Sequence, residues 1–195
     1  TNTTVALLAT PGTLASITTT VAWIDGADAQ RAEEVAESFT IGDVRTYDQD
    51  PRFAVEVLAE VASRALSPGI NDNGTAINII SRAQRVIEAW QAASANPGPH
   101  ASARLHVRTI TLDELFDDAF GPIMRDGAGA LDVAIRLQKT LVMLSRLGPE
   151  YAAEARRLST DALARNGEAG MPERDVATVR AAAAPLTAPA NGHAQ

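Results

Sequence analysis

Between residues 131 and 147 apolar side chains recur so densely that only one placement suits them. Leu131, Ala134, Ile135, Leu137, Leu141, Val142 and Leu144 fall at helical spacing and cover an arc too wide for a surface helix. Such a helix belongs at the centre of a bundle. The composition says what its neighbours are made of. Hydrophobic residues are 46% of the 195-residue chain, yet aromatic residues are only 4%. The core must rest on Ala, Leu, Val and Ile, side chains that suit closely packed helices. A chain of this length holds one full core, or one core with a small appendage.

Other helices are marked by their ends. Asp25 or Asp28 caps a short helix to about residue 39, and residues 41–49 then form an irregular segment. Asp50-Pro51 is a strong start: the carboxylate accepts from free N–H groups and Pro loses nothing in the first turn. Phe53, Val57, Leu58, Val61 and Ala65 mark one face of that helix, which Ser67-Pro68-Gly69 stops. Asn71, Asp72 or Asn73 caps the next, with Ala76, Ile79, Ile80, Ala83, Val86, Ile87 and Trp90 as its stripe. After a loop at residues 96–99, Thr111 and Glu114 form a capping box, and Gly121-Pro122 is expected to break or kink the helix that follows. Pro149 and Pro172 begin two more helices.

The first residues differ. Residues 5–9, 14–17 and 20–24 are short, rich in Thr and Val, and punctuated by Pro11-Gly12, so they read as strands. Residues 104–110 alternate like one more. The expected architecture is mainly α: a multi-helix bundle with a small N-terminal β-portion and one further short strand. By segment, residues 1–26 form the short β-segment, the end of a truncated β-unit. Residues 27–185 form the helical domain and residues 186–195 a disordered tail.

Charge and composition exclude several functions. With a net charge of −7 and no run of Lys and Arg, the chain repels a nucleic-acid backbone. It has no cysteine, so thiolate metal sites, disulfides and cysteine nucleophiles are ruled out. Its apolar runs fall short of the roughly 20 residues that span a bilayer. His100, His106 and His193 are scattered, no pair has zinc spacing, and no Gly-x-Ser-x-Gly occurs. Asp113, Glu114, Asp117 and Asp118 diverge around one helix, which suits a solvated face better than a metal. No catalytic residue, metal ligand or cofactor is indicated.

Two polar stretches remain as candidate sites. Arg64, Ser67, Gly69, Asn71, Asp72 and Thr75 surround a loop that delivers the chain to a helix N-terminus, where free N–H groups and the helix dipole favour an anion. The same residue types also cap helices and make turns. Arg45, Asp48, Gln49, Asp50 and Arg52 read either as a contact surface, for another copy of the chain, or as groups paired among themselves. A helix of about 16 residues, roughly 24 Å, separates the two stretches along the chain.

The run Ile41-Gly-Asp-Val-Arg-Thr-Tyr-Asp-Gln-Asp50, followed by Ala65-Leu-Ser-Pro-Gly-Ile-Asn-Asp72 and Thr75-Ala76, resembles the signature of the domain-of-unknown-function family 2254, predicted bacterial membrane proteins. Asn73-Gly74 departs from it, since the family carries Pro after Asn-Asp. Phe120-Gly-Pro-Ile-Met-Arg-Asp-Gly-Ala128 is similar to the family too, and the likeness extends over about residues 10–185. It implies transmembrane helices before this region. The chain would then be a soluble part, anchored through a missing N-terminal region at the bacterial inner membrane, on its cytoplasmic side. The expected function is assembly or regulation of the membrane part, as a homo-oligomer and without nucleic acid. The alternative is binding or hydrolysis of a small anionic ligand at residues 67–75. The family brings no established activity.

Overall fold

Helix starts in this chain are set by local chemistry. In this computed structural model, which describes residues 3–47, 50–95 and 102–187, Asp28 caps α1 (Ala29–Glu37) by accepting the Arg31 N–H at 3.0 Å. Asp50 does the same for α2 (Pro51–Ala65), where the Phe53 N–H donates to its Oδ1 at 3.0 Å. Asp72 caps α3 (Asn73–Ser94). At the start of α4 (Leu112–Asp126), the Glu114 carboxylate reaches back to accept the Thr111 N–H at 3.1 Å. α5 (Leu131–Leu144) passes through a 3-10 turn (Ser145–Leu147) into α6 (Pro149–Glu168), and α7 (Glu173–Thr187) follows. The fold is mainly α, 64% helical, with seven helices and a small three-stranded sheet among the described residues.

The chain divides into two compact units, Thr1–Ala54 with Asn96–Ile110, and Val55–Ala95 with Thr111–Gln195. In the second unit α5 packs against α3, α6 and α7, while α4 packs against α3 and α6. Leu137, Leu141 and Leu144 of α5 are buried, as are Ile80 and Ile87 of α3 and Leu158 of α6. Alanines at the contacts, among them Ala76, Ala83, Ala119 and Ala155, let the helices approach closely. Three of the unit's four aromatic residues cluster: Phe116 meets Phe120 edge-on at 6.0 Å between ring centroids, and Tyr151 at 6.3 Å. One polar pair sits inside the core. Ser159 Oγ donates to Gln138 Oε1 at 2.6 Å, and Gln138 Nε2 donates back to the Ser159 carbonyl at 3.4 Å.

The first unit is built on the sheet, in the order β2-β1-β3. β1 (Thr4–Leu7) pairs antiparallel with β2 (Ala22–Asp25) and parallel with β3 (Leu105–Val107). Paired residues share a face. Val5, Leu7, Ile24, Leu105 and Val107 therefore line one side, and Ala6, Trp23 and His106 the other.

Several expectations are corrected. Residues 14–17 form no strand. Ser16 and its neighbours bond their own backbone instead: the Ser16 N–H donates to Thr19 Oγ1 at 2.9 Å and the Thr18 N–H to Ser16 Oγ at 3.3 Å. Such bonds compete with a ladder. The strand expected over 104–110 is only Leu105–Val107. Gly121-Pro122 does not end α4, which runs through Pro122 because Phe120, Ile123 and Met124 on its buried side hold the next turn in place. Leu186, assigned to the tail, is a buried residue of α7, which continues through Pro185. Residues 188–195 and the loop at 96–99 lie outside the described residues.

If α5 is the keystone of the bundle, Leu141→Ala lowers the unfolding free energy by about 2–5 kcal/mol, the usual cost of such a cavity. Denaturant titration measures it, and a loss below about 0.5 kcal/mol, the level of a surface change, would remove α5 from that role.

Candidate functional site

In the first unit the residues around Arg45 turn inward as much as outward. Arg45 Nε donates to Asp50 Oδ2 at 2.7 Å, and the Asp50 side chain is only 5% exposed against 31% for Arg45. The Arg45 guanidinium carbon stands 4.8 Å from the centre of the Phe53 ring, on which Tyr47 stacks at 4.9 Å. Arg52 is half-buried in the first turn of α2. Asp48 and Gln49, the other two residues of this candidate surface, lie outside the described residues.

A feature that sequence reading missed sits against this pair. Gly12 adopts φ +82°, and a Cβ there would overlap the Asp50 carboxylate and stand 2.6 Å from Arg45 Nε. The Pro11-Gly12 turn thus lies directly against a half-buried ion pair. Pro-Gly announces a turn in any sequence. Nothing local announces what the turn touches some forty residues on.

In the second unit the six candidate ligand residues are gathered in one tight connection between α2 and α3. Ser67 Oγ donates to the Arg64 carbonyl at 2.7 Å, while the Ile70 and Asn71 N–H groups donate to the Ser67 carbonyl at 3.0 and 2.9 Å. Asn71 takes φ 51°, a left-handed conformation that Asn tolerates better than most residues. The Asp72 N–H then donates to the Ala65 carbonyl at 2.7 Å. Asp72 Oδ1 accepts the Thr75 N–H at 3.0 Å and its Oδ2 the Thr75 hydroxyl at 2.6 Å. The hydrogen bonds from the Thr75 side chain and backbone hold the Asp72 carboxyl below its ordinary value of 3.8. The position an anion would take at this helix N-terminus is filled by the protein's own carboxylate. Gly69 is exposed and a Cβ there would meet no atom within 4 Å. Arg64 is exposed as well, one turn back on α2.

A second feature absent from the sequence reading is a groove of about 460 Å³ between α4 and α6, floored by Gly121 and Pro122. Arg125, Arg157 and Arg165 stand around it, each beside a carboxylate. Arg157 bridges Asp117 at 2.8 Å and Glu154 at 2.7 Å, Arg165 meets Asp161 at 3.1 Å, and Arg125 meets Asp126 at 2.7 Å. Burial works against the charge on Arg157, but the bonds to Asp117 and Glu154 outweigh it and raise its pKa. Within the acidic run of α4, Asp117 serves as an ion-pair partner and Glu114 as a cap, and among the described residues no three His, Asp or Glu gather in a way that would hold a metal.

The bonds described here are those of helix caps, turns and ion pairs. Comparison with known proteins agrees with the motifs. One family model matches, and its family is described only as predicted membrane proteins. The chain belongs to that family, DUF2254, whose model matches residues 1–143. The matched stretch takes in the sheet and both signature segments but stops within α5, short of the residue 185 to which the motifs had extended the likeness. No curated protein and no solved structure matches the chain.

Gly12→Ala is expected to cost at least about 1–2 kcal/mol from the left-handed backbone alone, whereas Gly69→Ala stays within about 1 kcal/mol of the parent. Denaturant titration compares the two, and equal stabilities would mean that Gly12 does not press on the pair. The Asp72 cap predicts a pH dependence. Because its folded-state pKa is depressed, the stability it contributes is present above pH 3.8 and is lost as the pH falls through the lower folded value. Asp72→Ala should therefore lower the melting temperature at neutral pH, and the gap from the parent should close in acid. A gap that does not change with pH would show that the charge of Asp72 plays no part.

Proposed function

We propose that this chain is an extramembrane domain of a bacterial membrane protein, serving assembly or regulation of the membrane part from its cytoplasmic side, and that copies associate through the surface around Arg45. The observation that carries the reading is the family match over residues 1–143, joined to a fold in which no helix among the described residues is long and apolar enough to cross a membrane. Support for association comes from Ile41, Val44 and Tyr47, large apolar side chains left exposed within seven residues of chain beside the Arg45–Asp50 pair. Exposed apolar groups clustered in this way mark contact surfaces. The paired Arg45 and Asp50 contribute rigidity to that surface, and Arg45 adds charge at its rim.

The test is made on the native protein in its own cells. The product carrying this chain should stay with the membranes through an alkaline carbonate wash, and protease should reach this domain only from the cytoplasmic side. Recovery in the aqueous fraction would sink the proposal. For association, light scattering of the purified chain should show a mass above one protomer that falls when Val44 and Tyr47 are both changed to Asp. A monomer at every concentration would remove assembly and leave regulation.

A further inference from the structure

The net charge of −7 is not spread evenly: residues 1–24 contain no Asp, Glu, Lys or Arg, in a chain where 21% of residues are charged. This stretch forms β1, β2 and the loop between them, residues 8–21. The loop is tied at its base, where the Leu8 and Ala9 N–H groups donate to the Val21 carbonyl at 2.9 and 3.2 Å. At its far end Leu14 and Ile17 are fully exposed, three residues apart, and Trp23 stands 66% exposed on β2 of the same hairpin.

The polar groups of the loop turn to one another. Thr10 and Thr13 share a hydroxyl bond at 3.3 Å, Ser16 Oγ bonds the Thr18 hydroxyl at 2.9 Å, and the Thr19 N–H donates to the Ser16 carbonyl at 2.9 Å. Thr19 Oγ1 accepts the Ser16 N–H at 2.9 Å. A loop that bonds its own hydroxyls and backbone loses less on leaving water than one whose polar groups rely on solvent.

We propose that this loop seats Leu14 and Ile17 in the interfacial layer of a lipid bilayer, with Trp23 at the level of the headgroups. The inference rests on the reading of the chain as an extramembrane domain and names the surface it faces. A protein partner is met by an apolar centre with a polar rim, where charges are ordinary. The hydrocarbon boundary penalises every charge, and indole side chains collect beside it. An uncharged stretch, two protruding aliphatic side chains, internally bonded hydroxyls and an exposed Trp suit the second environment.

The chain has no cysteine, so Leu14→Cys creates a single thiol for an environment-sensitive dye. Added vesicles of phosphatidylcholine, and of equimolar phosphatidylethanolamine and phosphatidylglycerol, should shift the emission of that dye to the blue. Ile17→Asp should weaken partitioning about tenfold or more, given the burial energy of one such side chain. Ile17→Ser, which adds no charge, should weaken it in the same direction. Ile70→Asp, at an exposed apolar residue in the other unit, should leave it unchanged. Folding of each variant is checked by its melting curve. A dye that stays in water with both vesicles overturns the proposal, as does a blue shift that needs no lipid and grows with protein concentration, which would put a second copy on the loop. In either case a carbonate-resistant native protein keeps the extramembrane reading standing, so the two failures are separable.

Discussion

The burial of α5 is the constraint on which the bundle depends. With so few aromatic residues, the second unit cannot fill space with large rings, and its helices must come close together. Leu137, Leu141 and Leu144 give the central helix its apolar mass, and Ala76 and Ala83 on α3 and Ala155 on α6 keep the neighbouring backbones near. Close approach leaves little tolerance for an unpartnered polar group. Gln138 is admitted to this core because the hydroxyl of Ser159, on the facing helix, satisfies its carbonyl oxygen. The pair also fixes how α5 and α6 slide past one another, since its bonds are lost if either helix shifts by a turn.

The first unit meets a different problem. Three strands of three or four residues cannot bury much on either face, and Leu105 and Val107 remain exposed on the side they share with Val5 and Leu7. Order here comes from a polar feature instead. The buried Asp50 carboxylate joins Arg45 to the start of α2, and the Gly12 turn lies against both groups. Removing Arg45 would leave the Asp50 carboxylate desolvated without its cation, which makes such a feature intolerant of change. A unit held this way retains apolar surface that its own chain does not cover. That is the physical reason why both proposals, association of copies and contact with lipid, fall on this unit.

Features encoded locally were legible in the sequence. Asp50, Thr111 with Glu114, and Pro149 each act within one turn of their own position, and each begins a helix as read. Ala76, Ile79, Ile80, Ala83 and Ile87 of the α3 stripe, and Ala134, Leu137, Leu141 and Leu144 of the α5 arc, are buried for the same reason: periodicity within one element reports its environment. What failed involved competition or distance. Residues 14–17 have strand-forming composition, but Ser16, Thr18 and Thr19 offer the backbone side-chain partners that a ladder would have to outbid. Pro122 reads as a helix breaker because the sequence does not display the packing of Phe120 and Ile123 that carries α4 through it. The ion pair of Arg45 was foreseeable as one of several; its contact with Gly12 was not. The groove between α4 and α6 joins residues some forty apart, such as Asp117 and Arg157, and no spacing rule connects them.

The signature segment at residues 65–76 gains a meaning that the family description does not supply. Its Ser, Asn and Asp side chains and its left-handed Asn71 close the α2–α3 connection with bonds made almost wholly within the segment. Beyond it, Asn73 donates to Asp132 at the start of α5 at 2.9 Å, and Ser63, just before the segment, donates to Asp126 at the end of α4. The ends of four helices are thereby tied at one corner of the bundle. Gly127 lies at the same corner, where a Cβ would stand 2.8 Å from the Ile123 carbonyl and 3.3 Å from Leu66. A corner tied in this way fixes the mutual placement of four helix ends, and that placement is the structural work which the segment's own bonds account for.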